Sequence, residues 1–106
     1  MTRKIPIISL KDFETKSKKR IMYKSLVESI TKGVDLDLES VNIAEIKNHD
    51  VIISVPKTEW KGGLKNAMNY YIEREEYEEC SKIKKLIEKI KVNEVYKRTN
   101  SKHSRR

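Results

Sequence analysis

Cysteine, histidine and long apolar runs are all scarce in this chain. Cys80 is the only cysteine, which excludes an internal disulfide and any zinc site built on cysteine pairs; a small core residue is its expected role. The two histidines, His49 and His103, are far apart, and the second sits in a basic tail. A histidine metal cluster or a His-assisted nucleophile therefore lacks its raw material. No apolar run approaches the roughly 18 to 20 residues of a membrane span. Met1-Thr2-Arg3-Lys4 is not followed by the apolar stretch and small-residue cleavage site of a signal peptide. The expectation is a cytoplasmic, intracellular protein with no membrane partner, no metal, no cofactor and no catalytic residue.

What is present is charge, unevenly spread. With 106 residues the chain can close one modest core but not a deep, enclosed active-site cavity, so a binding fold is expected rather than an enzyme. The net charge is +8, but residues 1–24 hold eight Lys or Arg against Asp12 and Glu14, and residues 97–106 hold five with no acid, leaving the middle net negative by three. Basic ends can neutralise phosphates or meet an acidic protein surface. The preference for Lys over Arg, 18 to 6, together with abundant Ile and Asn, is also what an AT-rich coding bias produces, which weakens the electrostatic signal.

Ile5-Pro6-Ile7-Ile8 is too short for a helix and is interrupted by proline, so it reads as an edge strand or anchoring arm. Ser9 offers a cap for a helical turn over Leu10 to Phe13, with Asp12 placed as in a capping box. From Lys18 to Lys32, Met22, Tyr23, Leu26, Val27 and Ile30 recur on one helical face, and Gly33 reads as the stop. Val34-Asp35-Leu36-Asp37-Leu38 alternates as an extended segment does; Val41, Ile43 and Ile46 continue it, with Ala44-Glu45 blurring the register. Val51-Ile52-Ile53-Ser54-Val55, closed by Pro56, is expected to pair with residues 41–46 as a β-hairpin across the polar turn 47–50. Such a ribbon needs the Met22 to Ile30 face, or a partner, laid across it.

Thr58 is placed to cap a helix from Glu59 or Trp60, which Gly62-Gly63 would weaken by about 1 kcal/mol per glycine, making the pair a bend, start or hinge. No P-loop lysine accompanies these glycines. Trp60, Leu64, Ala67, Met68, Tyr71 and Ile72 make an apolar stripe; Glu73-Arg74-Glu75-Glu76 breaks it; Tyr77, Cys80, Ile83, Ile87 and Ile90 resume it at heptad-like steps. Two antiparallel helices joined by a tight polar corner, over residues 64–91, is the reading. Lys91 to Tyr96 can extend the second helix, and there is no internal repeat.

Residues 71–87 resemble the UVR motif, the helical hairpin named after the bacterial UvrB and UvrC repair proteins. The family's apolar pair, acidic corner ending in an aromatic and a glutamate, two small residues and two spaced apolar positions fall on Tyr71-Ile72, Glu75-Glu76-Tyr77-Glu78, Cys80-Ser81, Ile83 and Ile87. Lys84-Lys85 stands where the family has Arg-Asp, and Tyr71 is bulkier than the alanine often found there. The likeness covers about a quarter of the chain. It implies protein–protein docking without chemistry, as in repair complexes, Clp-type unfoldases and activators of protein-arginine kinases. From the residues themselves, Tyr77 is expected to plug the open end of the hairpin, and the small Cys80 and Ser81 to let the helices approach closely. Glu73, Glu75, Glu76, Glu78 and Glu79 read as a solvated corner rather than a cation site. The plain alternative is that the stripe is only core.

The expected architecture is α+β, mainly α: an N-terminal helix packed on a short β-hairpin, then an antiparallel helical hairpin, all within one domain over residues 1–96, with a flexible basic tail over 97–106. The expected function is a small non-catalytic adaptor docking a partner protein through Trp60, Leu64, Met68, Tyr71, Tyr77, Ile83 and Ile87, its basic ends strengthening assembly. The alternatives are a nucleic-acid-binding accessory protein or a structural component of a larger nucleoprotein particle, such as that of a phage. Phosphate contact would then fall to Lys16, Lys18, Lys19, Arg20, Lys97, Arg98, Lys102, Arg105 and Arg106. Homo-oligomerisation is left open.

Overall fold

The computed structural model describes residues 5–9 and 16–104, with side chains over 5–9 and 18–94. The order along the chain is β1 (Ile7–Ile8), α1 (Lys16–Asp35), β2 (Ser40–Ile46), β3 (Val51–Pro56), a 3-10 turn (Lys57–Glu59), α2 (Trp60–Glu73) and α3 (Tyr77–Ser104). This is the α+β arrangement expected, with the helical hairpin last. The turn anticipated over Leu10 to Phe13 lies outside the described residues. The chain divides into two units, Met1–Gly63 and Leu64–Arg106.

In the first unit the strands lie in the order β1-β2-β3. β1 pairs parallel with β2, Ile7 opposite Glu45 and Ile8 opposite Ile46, and Glu45 and Lys47 donate their amides to the carbonyls of Pro6 and Ile8. β2 and β3 form the antiparallel hairpin, turning through residues 47–50, where Asn48 and Asp50 take positive φ. Its register jumps from Asn42↔Ser54 to Ala44↔Ile53, so Ile43 is the extra residue of a bulge. The bulge explains why Ile43 and Ala44 are both buried although they are sequence neighbours, and why Ile46 is buried as well.

α1 supplies the cover that a lone ribbon lacks. Leu26 and Ile30 are buried, with Met22, Tyr23 and Val27 half-buried beside them. Two serines on the same face, Ser25 and Ser29, are buried too. Their hydroxyls donate to the carbonyls of Ile43 (2.5 Å) and Asn42 (3.0 Å), the residues where the bulge disturbs the ladder. These bonds give carbonyls at the bulge a partner away from water, where an orphan acceptor would cost about 1–3 kcal/mol.

Gly33 does not stop α1, which runs on to Asp35. A Cβ on Gly33 would lie 2.7 Å from both Trp60 Cη2 and Val41 Cγ1, so this glycine is there to let an indole and a strand side chain sit against the helix backbone. The stop is Asp37, at φ 54: Leu38 N donates to Gly33 O (2.9 Å) and Asp37 N to Val34 O (3.3 Å), a Schellman closure with an aspartate in the left-handed position. The alternating Val34 to Leu38 segment is therefore not extended. Its first two residues finish the helix, and Leu36 and Leu38 are exposed.

Thr58 does not cap a helix; it lies within the 3-10 turn, whose N-cap residue is Pro56. Lys57 holds this turn to the end of α1, its Nζ 2.9 Å from Asp37 Oδ1 and its amide 2.8 Å from Glu39 O. α2 begins at Trp60 and passes through both glycines rather than starting or breaking after them. A Cβ on Gly63 would come within 3.3 Å of Leu26 Cδ2, whereas one on Gly62 would meet nothing. Gly63 thus serves close packing.

In the second unit, Leu64, Ala67, Tyr70 and Tyr71 of α2 and Ile83, Leu86, Ile87 and Ile90 of α3 are buried. The three- and four-residue steps from Ile83 to Ile90 are those of a helical seam. α3 continues through Ser104, into the stretch expected as a tail. No helix among the described residues is long and apolar enough to cross a membrane.

Candidate docking site

The hairpin turns at residues 74–76, and backbone geometry closes the turn. Glu75 adopts φ 57; Glu76 N donates to Tyr71 O and Glu75 N to Ile72 O, each at 3.0 Å. This is the same Schellman pattern that ends α1, again with an acidic residue where glycine is preferred. A left-handed conformation costs an L-residue roughly 1–2 kcal/mol, so the corner is held by what surrounds it. Arg74 contributes: its guanidinium carbon stands 3.8 Å from the centre of the Tyr70 ring, and its Nη1 donates to Tyr70 O at 3.3 Å. Tyr70 in turn meets Tyr71 edge-on, ring centres 5.2 Å apart. Just past the corner, Cys80 is half-buried and its thiol donates to Met68 O at 3.7 Å, a contact that needs the small side chain expected there. Ser81, by contrast, is exposed and takes no part in the close approach.

Two departures from the expected stripe shape the outer surface. Ile72 is 45% exposed, and the buried place on that turn of α2 belongs to Tyr70. Tyr77 does not plug the hairpin; it is 62% exposed at the first position of α3. An aliphatic and an aromatic side chain thus flank the corner in solvent, among exposed Glu73, Glu75 and Glu78. Glu79 faces its own helix, 3.0 Å from Lys82 Nζ, and this hydrogen bond holds the ammonium above its usual pKa.

The other docking candidates lie elsewhere. Trp60, Leu64, Tyr71, Ile83 and Ile87 are buried, and Met68 is half-buried. Trp60 is wholly enclosed, its indole N–H donated to Val55 O at 2.9 Å, which makes it a core residue of the first unit. Periodicity marks a buried face and an interface face alike, which is why these side chains read as anchors. Ile72 as an exposed residue and Leu86 as a buried one were not distinguishable by spacing; only the phase of the two helices decides them. Among the basic candidates, Lys19 and Arg20 are exposed and Lys18 half-buried near the start of α1, whose first turn holds no acid. The side chains of Lys16, Lys97, Arg98 and Lys102, and all of Arg105 and Arg106, lie outside the described residues.

Among the described residues no group of three or more His, Cys, Asp or Glu is placed to hold a metal ion. The class that fold and site define is an α+β chain carrying a helical hairpin with an apolar, acid-rimmed corner. Comparison with protein-family models, curated proteins and solved structures finds no match.

Proposed function

We propose that this chain is a small, non-catalytic adaptor that docks a partner protein through the corner of its UVR-like hairpin, with the basic ends strengthening the assembly. One observation carries the reading: Tyr77, at 62% exposure, stands beside the acidic turn with Ile72, at 45%, across it. A tyrosine held at a rigid helix start is the kind of residue that anchors interfaces, since it offers a large amphipathic surface at little entropic cost. The complementary partner surface is an apolar recess rimmed by Lys or Arg. The docking set thereby shifts from the seam to Tyr77 and Ile72, with Glu73, Glu75 and Glu78 as rim.

Crosslinking and affinity capture of the native chain test this. One dominant protein partner is expected, lost in a Tyr77→Asp, Ile72→Asp variant whose helicity and melting temperature match wild type. Capture that survives both substitutions removes the corner from the interface.

A second reading has its own support. The first turn of α1, Lys16 to Lys19, holds three lysines and no acid, the opposite of what the helix dipole favours, and the arrangement improves if an anion such as a backbone phosphate sits there. A mobility shift that weakens steeply with salt, and weakens again when Lys18, Lys19 and Arg20 become Gln, would favour nucleic acid; no shift at low salt would dismiss it.

A further inference from the structure

The sheet has two unlike edges. β1 is two residues long and follows Pro6, so it offers almost no ladder to extend. β3 is six residues long, lies at the other edge, and contains no charged side chain from Val51 to Pro56. Native edge strands are ordinarily protected by a charge, a mid-strand proline, a bulge or a covering element. Here the bulge is on β2, and the one proline is the last residue of the strand. Val51 and Ile52 are 48% and 51% exposed, and Ser54 is exposed as well. Trp60 meets this strand near its C-terminal end, donating its indole N–H to Val55 O while its ring lies against Gly33 and Val41.

We propose that β3 is a self-association edge, pairing antiparallel with β3 of a second copy of this chain about a two-fold axis through Ile53. The strand's own sequence argues for this occupant. Residues directly opposite each other in an antiparallel pair point to the same face, so symmetric pairing must join positions of like parity. Centring on Ile53 sets Ile53 against Ile53, Val51 against Val55, and Ile52 against Ser54. Every pair on the face that carries Val51, Ile53 and Val55 is then β-branched against β-branched, the kind that stabilises sheets, and no like charges meet. The half-buried Ile53 and Val55 and the exposed Val51 are the side chains such a pair would cover. The product closes: a six-stranded sheet would end at β1 on both sides, where the two-residue strand and Pro6 halt further growth. The net charge of +8 opposes association of two copies, so pairing strengthens as salt screens it, the reverse of phosphate binding.

Sedimentation velocity of the full chain across concentration, at low and high salt, tests the proposal. The expected result is a monomer–dimer equilibrium that tightens with salt. Val51→Lys with Ile52→Lys, both at exposed positions, raises the dissociation constant by about tenfold or more, since each change is counted twice in the symmetric pair, while the circular dichroism spectrum stays that of wild type. Register is read by oxidative crosslinking in a Cys80→Ser background: Ile53→Cys crosslinks to its own copy and Val51→Cys does not. A chain that stays monomeric to millimolar concentration at high salt overturns the proposal, even if its edge accepts a strand from another protein. So does a dimer indifferent to the two lysines.

Discussion

The two units of this molecule are specified in different currencies. In residues 64–104 the decisive information is spacing: apolar side chains at three- and four-residue steps, one small cysteine, one corner. In residues 5–63 it is the fate of individual polar groups and single atoms. Two serine hydroxyls find carbonyls at a bulge, and a glycine is present because an indole occupies the space its Cβ would need. A seam built from spacing should tolerate changes of shape but not of volume. A layer built on particular bonds should respond most to losing a bond.

The largest expected effect breaks the seam. Ile83 is fully buried, and Ile83→Ala should lower stability by about 2–5 kcal/mol, measured by urea unfolding, while Ile83→Leu should cost less than about 1.5 kcal/mol. Equal losses for both would mean that shape, not volume, is specified there. Next comes Ser25→Ala, which removes little volume but strips Ile43 O of the hydroxyl that satisfies it; a loss of about 1–3 kcal/mol is expected, with Ser25→Thr a partial rescue if the extra methyl is accommodated. A near-neutral Ser25→Ala would erase the contrast between the units.

The smallest effect runs the other way and is common to both. Asp37 and Glu75 each occupy the left-handed position of a Schellman closure, so Glu75→Gly should gain about 1 kcal/mol in thermal unfolding and Asp37→Gly should gain as well. The Asp37 variant should gain less, because it forfeits the ion pair with Lys57.

These contrasts explain what could be read in advance. The hairpin strands, their turn, the helix over Met22 to Ile30 and the helical hairpin are visible in the sequence because hydrophobic period reports them directly. Ser25 and Ser29 were invisible, since a polar residue on an apolar face announces no partner until the bulge places carbonyls beneath it. Gly33 misled because glycine at a helix end is usually a cap, whereas here tertiary packing by Trp60 demanded it four residues before the true stop. The Val34 to Leu38 alternation misled because five residues fit either period. At the corner the acidic turn was legible, but not which side chains face outward: Tyr77 was expected inside and Ile72 in the stripe, and both are exposed.

The enclosure of Trp60 gives the two units separate voices in solution. It is the sole tryptophan, it belongs to the first unit, and its environment there is an apolar pocket with one backbone acceptor. Its emission should be blue-shifted in the native chain and should report the melting of the sheet and α1. The far-ultraviolet helical signal sums α1 with the larger share from α2 and α3, so any helix lost apart from the Trp60 transition reports the hairpin. Whether the two traces coincide along a urea titration measures how many cooperative folding units this chain contains.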